Sequence, residues 1–365
     1  MKILLLEYIT AGGFGGEPLP ASLLREGALM RDALVHDFST LEDVSIVTTY
    51  DARLDAPKLG GSIIQAVRVE QASDALATWQ QLLKTCDAAV VVAPETDGIL
   101  AYLMQMIEAA GVKNLGCLSS AVKTTSSKYD TYQQLKSANI LTLATYTVNA
   151  FLQADFSQSQ LGNDGWIVKP SDGAGCEDTF YFDDEASLRE WLRVNQQAVQ
   201  QRQAAKQFIV QPYQTGTPAS ISMLCKNGAA WLLSCNQQTI AIVNDNAPQA
   251  SAKPSHIQYQ GCMVNGLSQH ANAFSKLASD IAAAMPDLNG YIGVDVIVSH
   301  DDIYVVEINP RITTSYIGLR ESLGVNPAKL MLDIAYSQST PESLSQTFEL
   351  PVNMTTKPVE INLNA

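Results

Sequence analysis

The sequence predicts an α/β protein that opens with a helix-covered parallel sheet and continues into a longer region of β-hairpins and helices. Three observations predict it. Short apolar runs alternate with amphipathic, helix-length segments over the first hundred or so residues. Around Leu118 a polar, helix-prone stretch interrupts that rhythm. Beyond it, paired strand-like runs recur around glycine, asparagine or acidic tips. A chain of 365 residues is long for one core, which suggests two or three packed subdomains.

The alternation runs through Ile3 to Leu6, Leu23 to Val35, Val44 to Thr48, Ser73 to Leu83, Ala88 to Ala93 and Leu100 to Ala110. In open parallel sheets, ligand loops follow the carboxyl ends of strands. Two loops qualify, Glu7 to Gly16 (EYITAGGFGG) and Pro94 to Gly98 (PETDG). The glycines of the first fit neither G-x-G-x-x-G nor a P-loop, so it reads equally as a tight turn or a small-substrate pocket.

The stretch Ser119 to Asn139 is helix-prone, with Ser127 as an N-cap and Asp130 at the third helical position. Lys128 then falls in the first turn, where the helix dipole opposes a cation unless an anion is near. Taken alone it fits a phosphate ligand or a solvated lysine. Trp166 to Asp183 (WIVKPSDGAGCEDTFYFD) reads as a hairpin whose first strand ends in Lys169 and whose tip carries Gly173 and Gly175. Such a tip can lay backbone N–H groups over phosphates, although it also describes an ordinary glycine hairpin with Lys169 reaching to water.

Residues 184–207 predict an amphipathic helix ending in a glutamine-rich solvated face. Phe208 to Tyr213 is a strand stopped by Pro212, and Gln214 to Ser220 turns into a strand at Ile221 to Cys225. That break exposes backbone groups suited to a planar base, as any inter-domain hinge does. Met223 to Ser234 continues as a hairpin around Asn227-Gly228. Asn244 to Asn265 is expected to be loop-rich, with Lys253, His256 and Tyr259 as structural residues. Gly266 to Met285, Ser315 to Gly324 and Pro327 to Ser337 are expected helices, and Val359 to Leu363 a short edge strand.

The richest stretch is Gly290 to Arg311, GYIGVDVIVSHDDIYVVEINPR. Val294 to Val298 and Ile303 to Ile308 bracket a polar break, which predicts a hairpin. Glu307 and Asn309 are two apart and share a face, and Asp295 joins them only if it pairs directly across the ladder from Glu307. Opposed carboxylates in a half-buried site repel unless a cation sits between them. All three donors are hard oxygens, which favours Mg2+ or Mn2+ over Zn2+. Arg311 adds a planar cationic fork suited to phosphate or carboxylate. A solvated surface hairpin is the bland alternative, but apolar residues flank every polar one here.

Bulk composition narrows the partners. With 46% hydrophobic and 16% charged residues the chain is globular, and a formal charge of -14 without a basic stripe argues against nucleic acid or an anionic membrane surface. ATP needs only a few local cations and its metal, so it stays admissible. Six scattered cysteines without C-x-x-C spacing indicate reduced thiols. Met1 leads straight into a strand with no signal-peptide core, so a cytoplasmic protein is expected, with homo-oligomerisation left open.

In combination, Lys128 at a helix start, Lys169 before a glycine hairpin, the Gln211-Pro212-Tyr213 hinge, Asp295 and Glu307-Ile308-Asn309-Pro310-Arg311 resemble the ATP-grasp superfamily of carboxylate-amine ligases over roughly residues 119–340. The resemblance implies an ATP-grasp fold of α/β and α+β parts: an N-terminal parallel α/β domain (1–118), a small subdomain with the glycine loop (119–210) and a C-terminal subdomain with the metal site (211–365). By the same resemblance Lys128 and Lys169 hold ATP phosphates, and the loop from Asp172 to Glu177, with Gly173 and Gly175, covers them. Gln211, Pro212 and Tyr213 line the adenine, Asp295, Glu307 and Asn309 bind Mg2+ or Mn2+, and Arg311 meets the transferred phosphate or acyl phosphate, with Lys169 and Arg311 catalytic. The hinge carries Gln211 where the superfamily often has an acid, which leaves the ribose-binding group unassigned.

More narrowly, Glu7 to Gly13, Arg25-Glu26-Gly27 and Pro94-Glu95-Thr96 resemble the tyramine-glutamate ligase branch of methanofuran-type cofactor biosynthesis. That implies ATP-dependent joining of L-glutamate to an aromatic amine, tyramine or tyrosine, with release of ADP and phosphate. Two rival classes are a kinase that stops at phosphoryl transfer, for which no positioned base is evident, and a nucleotide-binding module without turnover, which would have lost an acid or a lysine.

Overall fold

Five parallel strands form the first sheet, in the order β3 (Ile63–Val69), β2 (Ser45–Asp51), β1 (Lys2–Glu7), β4 (Ala88–Val92), β5 (Lys113–Asn114). Helices α1 (Ala21–Ser39), α2 (Ala72–Leu83) and α3 (Ile99–Ala110) connect and cover it. β1 and β4 are buried on both faces, as their unbroken apolar runs require. These coordinates are a computed structural model describing residues 1–57, 62–156, 162–173, 175–195, 207–244, 254–300, 302–337 and 349–363. β3 is a strand that the apolar alternation leaves out. It lies at the sheet edge, and its polar Gln65 and Arg68 weaken the pattern.

The expected break near Leu118 is present as two short helices, α4 (Ser119–Thr125) and α5 (Lys128–Ser137). They part at Ser127, whose Oγ accepts a hydrogen bond from Asp130 N at 3.1 Å, so the predicted cap is made.

The remaining strands join one antiparallel sheet. From one edge it runs β14 (Asp302–Asn309), β13 (Gly290–Ser299), β10 (Thr217–Lys226), β11 (Ala229–Val243), β12 (Ser255–Val264), β8 (Phe180–Phe182), β7 (Trp166–Pro170), β9 (Phe208–Pro212) and β6 (Tyr146–Thr147), with β15 (Val359–Asn362) on β12. The smaller half, β6 to β9, folds over α6 (Val148–Gln153) and α7 (Glu185–Val194) around Trp166, Phe151 and Phe156. The larger half packs α8 (Ala271–Ala284) against β11, with α9 (Tyr316–Leu323) and α10 (Pro327–Tyr336) also on its strands. Among the described residues, only Ser255↔Tyr181 and His256↔Phe180 connect the halves by strand pairing.

That junction corrects an expectation. Within the stretch expected to be loop-rich, Ser255–Val264 is instead strand β12, paired with β11, β8 and β15. Its polar and glycine-containing sequence, SHIQYQGCMV, hides it, since partners on both sides rather than apolar alternation stabilise it. Lys253 lies outside the described residues, as do 196–206 of the glutamine-rich stretch.

The parallel sheet is fastened to the larger half through α1. Buried Asp37 accepts hydrogen bonds from Tyr316 Oη and Arg320 Nη1, both at 3.0 Å, and Asn326 donates to the Asp37 carbonyl at 2.8 Å. Farther up the helix, Gly27 lies over the buried Glu7 carboxyl, which accepts from the Ile9 and Thr10 amides at 3.1 and 2.8 Å. A Cβ on Gly27 would come within 2.6 Å of that carboxyl. The close approach therefore requires glycine. Gly27→Ala is expected to lower stability by about 1–3 kcal/mol through overpacking, seen as a lower denaturant midpoint; an unchanged midpoint would mean that α1 shifts freely.

Candidate active site

The hairpin β13–β14 carries the acids, and its register is decided by one irregularity. Near the turn the strands pair as Ser299↔Asp302 through Val296↔Val305, and continuing that register would set Asp295 opposite Val306. A bulge between Asp295 and Val296 takes up Val306, so that Asp295 instead faces Glu307 and Gly293 faces Asn309. Bulges of this kind re-aim side chains beside functional sites. Asp295 Oδ2 accepts from Asn309 Nδ2 at 3.0 Å, and Oδ1 accepts from Gln238 Nε2 on β11 at 2.8 Å.

Two lysines reach Glu307 from elsewhere in the fold. Lys128 Nζ, at the start of α5, stands 3.3 Å from Glu307 Oε2, and Lys169 Nζ, at the end of β7, stands 3.9 Å from it. Lys128 also donates to the Gly173 carbonyl at 3.0 Å, and its own amide donates to the Ser171 carbonyl at 2.9 Å. The anion that offsets a cation in the first turn of α5 is thus a carboxylate of this chain.

Burial and neighbours push the paired acids apart. Burial and the facing Glu307 carboxylate raise Asp295 to about 7. Burial would raise Glu307 too, but Lys128 and Lys169 outweigh it and hold that carboxyl well below its usual range. Burial also pulls Lys169 below the ordinary lysine range, with Glu307 opposing it. The protein groups by themselves therefore keep one acid charged and favour a proton on the other.

Arg311, just past β14, lies with Nε 2.8 Å from Glu95 Oε1, in the loop after β4. The contact is an ion pair without aligned hydrogen-bond geometry, so neither buried Glu95 oxygen has a hydrogen-bond donor among the described residues. Burial works against the Arg311 charge, but Glu95, Glu307 and Glu26 outweigh it and keep its pKa above the usual value.

One cavity of about 450 Å3 gathers the acids, the two lysines and Arg311, while Glu95 stands behind Arg311. Asp295, Glu307 and Asn309 line it together with Lys128, Lys169 and Arg311. So do Asp172, Gly173 and Gly175 of the glycine loop, and Gln211, Pro212 and Tyr213 at the end of β9. Every residue to which the ATP-grasp resemblance assigned a nucleotide, metal or catalytic role thus borders the same space, whereas the loops Glu7 to Gly16 and Pro94 to Gly98 do not line it. The Gln211 side chain is engaged inward, donating to Thr145 Oγ1 at 2.9 Å, which leaves mainly its backbone and the neighbouring Ile167 and Leu143 as apolar lining.

The sequence reading missed three contributors. Gln238, which positions Asp295, sits in β11 with no local mark except polarity in an apolar strand. Glu95 and Glu26 were visible as parts of short motifs, but their meeting with Arg311 joins the loop after β4 and the first turns of α1 to the far end of the chain. Asp97 N also donates to Asp172 Oδ2 at 3.2 Å, linking that loop to the glycine loop.

Chemically the site offers two opposed carboxylates and an amide, three cations, and an apolar slot beside a glycine loop. Among the described residues no three His, Cys, Asp or Glu side chains cluster as metal ligands. A hard divalent ion at Asp295 and Glu307 could draw on Asn309, water or phosphate oxygens for its other ligands, as Mg2+ usually does. The cations suit the oxygens of a phosphoryl group. Among the described residues no helix is long and apolar enough to cross a membrane.

Comparison with known proteins agrees with this geometry. The ATP-grasp domain family matches residues 125–315, and the pre ATP-grasp 3 domain matches residues 44–122. The tyramine–L-glutamate ligase of Methanocaldococcus jannaschii is 29% identical over 323 residues, covering 87% of this chain and 84% of that protein. An ATP-grasp superfamily protein from Archaeoglobus fulgidus superposes with a TM-score of 0.62 at 21% identity, covering 91% of this chain and 88% of the other. The biotin carboxylase domain of 2-oxoglutarate carboxylase from Hydrogenobacter thermophilus, solved with MgADP, superposes with a TM-score of 0.65 at 14% identity over 93% of this chain and 70% of its own. With the two-part clasp, the opposed acids and the lysines around one cavity, the chain belongs to the ATP-grasp family of ATP-dependent ligases.

Proposed function

We propose that this ligase forms an amide between L-glutamate and an aromatic amine, tyramine or tyrosine, through an acyl phosphate, releasing ADP and phosphate. The observation that carries the reaction type is the Asp295–Glu307 pair facing across β13–β14 with Lys128 and Lys169 on Glu307, all bordering one cavity. The relatives from Methanocaldococcus, matched over most of the chain, support the choice of substrates.

A carboxylate does not react with an amine at neutral pH, because oxide is too poor a leaving group, and phosphorylation supplies a better one. The transfer needs charge and positioning more than covalent help from the protein. In this reading Asp295, Glu307 and Asn309 would hold Mg2+ or Mn2+, which when bound neutralises charge on the nucleotide phosphates. Lys128 and Lys169 pair with those phosphates, and Arg311 faces the oxygens of the activated carboxylate. The backbone of the glycine loop around Gly173 and Gly175 covers the phosphates and limits entry of water to the acyl phosphate. Gln211, Pro212 and Tyr213 border the base. Residues 1–118 supply the substrate-facing wall, and residues 119–210 and 211–365 the two sides of the nucleotide cleft.

The deciding assay is phosphate release from Mg-ATP or Mn-ATP with L-glutamate and a panel of amines including tyramine and tyrosine, with mass spectrometry of the product. Release that depends on glutamate and an aromatic amine, with an amide formed, is expected. Phosphate retained on the acceptor would mean a kinase, and turnover only with another carboxylate and amine pair would discard the substrates while keeping the ligase. Glu307→Ala should lower kcat/KM by about 100-fold or more without unfolding the protein; activity near that of the parent would remove Glu307 from the metal set.

The raised Asp295 carboxyl adds a pH dependence. A divalent ion has to displace its proton, so Mn2+ affinity of the nucleotide-free protein should rise between about pH 6 and about pH 8. Asp295→Asn should bind more weakly and with a flatter pH profile, as measured by paramagnetic resonance of free Mn2+. Equal slopes in the two proteins would assign the titration to another group.

A further inference from the structure

We infer that Glu26 binds the ammonium group of the attacking amine, an assignment that rests on the ligase reading above. The argument is a count of charges around Arg311. Three carboxylates act on its guanidinium, those of Glu95, Glu307 and Glu26. Glu307 is already matched by Lys128 and Lys169 at 3.3 and 3.9 Å. Glu95 takes the guanidinium itself, 2.8 Å from Nε and almost wholly buried. Glu26 is left over. It lines the cavity, yet among the described residues it makes no hydrogen bond and no ion pair within 4.0 Å.

A half-buried carboxylate without a partner is costly, and a cationic ligand lowers the cost. The surroundings select which cation. Glu26 and Met30 are four apart on α1 and both border the cavity, so the carboxylate sits next to an apolar surface. With the fixed guanidinium of Arg311 lining the same cavity, a second full charge of a divalent ion would be repelled, whereas a primary ammonium with an apolar body meets Glu26 and Met30 together. Burial shifts the Glu26 carboxyl upward and Arg311 partly offsets the shift, as expected for a site completed by a cation.

Proximity to Arg311 also selects which substrate. In the ligase reading Arg311 faces the activated carboxylate, and an attacking nitrogen has to come to within about 3.5 Å of that carbon. The acceptor amine is the substrate that has to bring its nitrogen there: it docks as the ammonium and gives one proton to the Glu26 carboxylate, and the freed lone pair forms the C–N bond as the C–O bond to phosphate breaks, the departing phosphate taking the second proton. The position of Glu26 is fixed from behind by Gly27 on the Glu7 carboxyl and by Asp37 on Tyr316 and Arg320, so α1 acts as a rigid wall.

Hydroxylamine provides the test, because it is largely uncharged at neutral pH and traps an acyl phosphate without an ammonium subsite. With ATP and L-glutamate, the ratio of kcat/KM for tyramine to that for hydroxylamine should fall by about ten-fold or more in Glu26→Gln. Glu26→Asp, which keeps the charge on a shorter arm, should fall between the two. An unchanged ratio in both variants overturns the inference. So does a selective loss of L-glutamate over glutarate as the acyl donor, which would give Glu26 to the donor's ammonium instead. No hydroxamate from the parent enzyme with any carboxylate would instead sink the ligase reading, and this one with it.

Discussion

Two carboxylates placed face to face across a strand pair constrain the rest of this structure. Asp295 and Glu307 are opposed only because Val306 is taken up in a bulge, and at that spacing both cannot be charged in a buried setting without compensation. Lys128 from α5 and Lys169 from β7 supply part of it on the Glu307 side, while Gln238 and Asn309 donate hydrogen bonds to Asp295. Elements from four parts of the chain are therefore held around one point. Packing the small half of the antiparallel sheet against the large half brings Lys169 to the acids, and α5, which packs on β14, brings Lys128.

The N-terminal sheet is more than a neighbour to that cleft. Asp37 fastens α1 to α9, and the loop after β4 reaches both Arg311, through Glu95, and the glycine loop, through the Asp97 amide on Asp172. The glycine-loop end of the cavity and the N-terminal sheet are thereby joined. A glycine loop that changes position has to break or carry the Asp97 contact.

Much of the site was legible because each residue type was costly where it stood. Glu307 and Asn309 alternate with apolar residues in a strand that Arg311 directly follows, and a strand lysine before two glycines is an expensive choice without a ligand. The fold was legible where apolar periodicity was strong, as in β1, β4 and α3. It was lost where pairing, not periodicity, makes the strand: β12 carries His256, Gln258 and Gly261, and only partners on both sides keep it extended. Glu95 and Gln238 were lost for a related reason, since nothing adjacent in the chain marks a carboxylate or an amide whose partner is on another element.

What the sequence by itself determined is the chemistry of the parts: hard oxygen donors, a cationic fork, a glycine tip, and the shared face of Glu307 and Asn309 that follows from the two-residue period of a strand. The tertiary structure decided the rest. The bulge at Val306 chose which residue faces Asp295, and domain packing chose Glu307 as the counter-ion of Lys128 and Lys169, Glu95 as that of Arg311, and Glu26 as the carboxylate left facing the cavity. The physical reason is range. Backbone period and residue chemistry act over a few positions, whereas charge balance in a buried cleft is settled among groups that only the completed fold brings within a few ångströms.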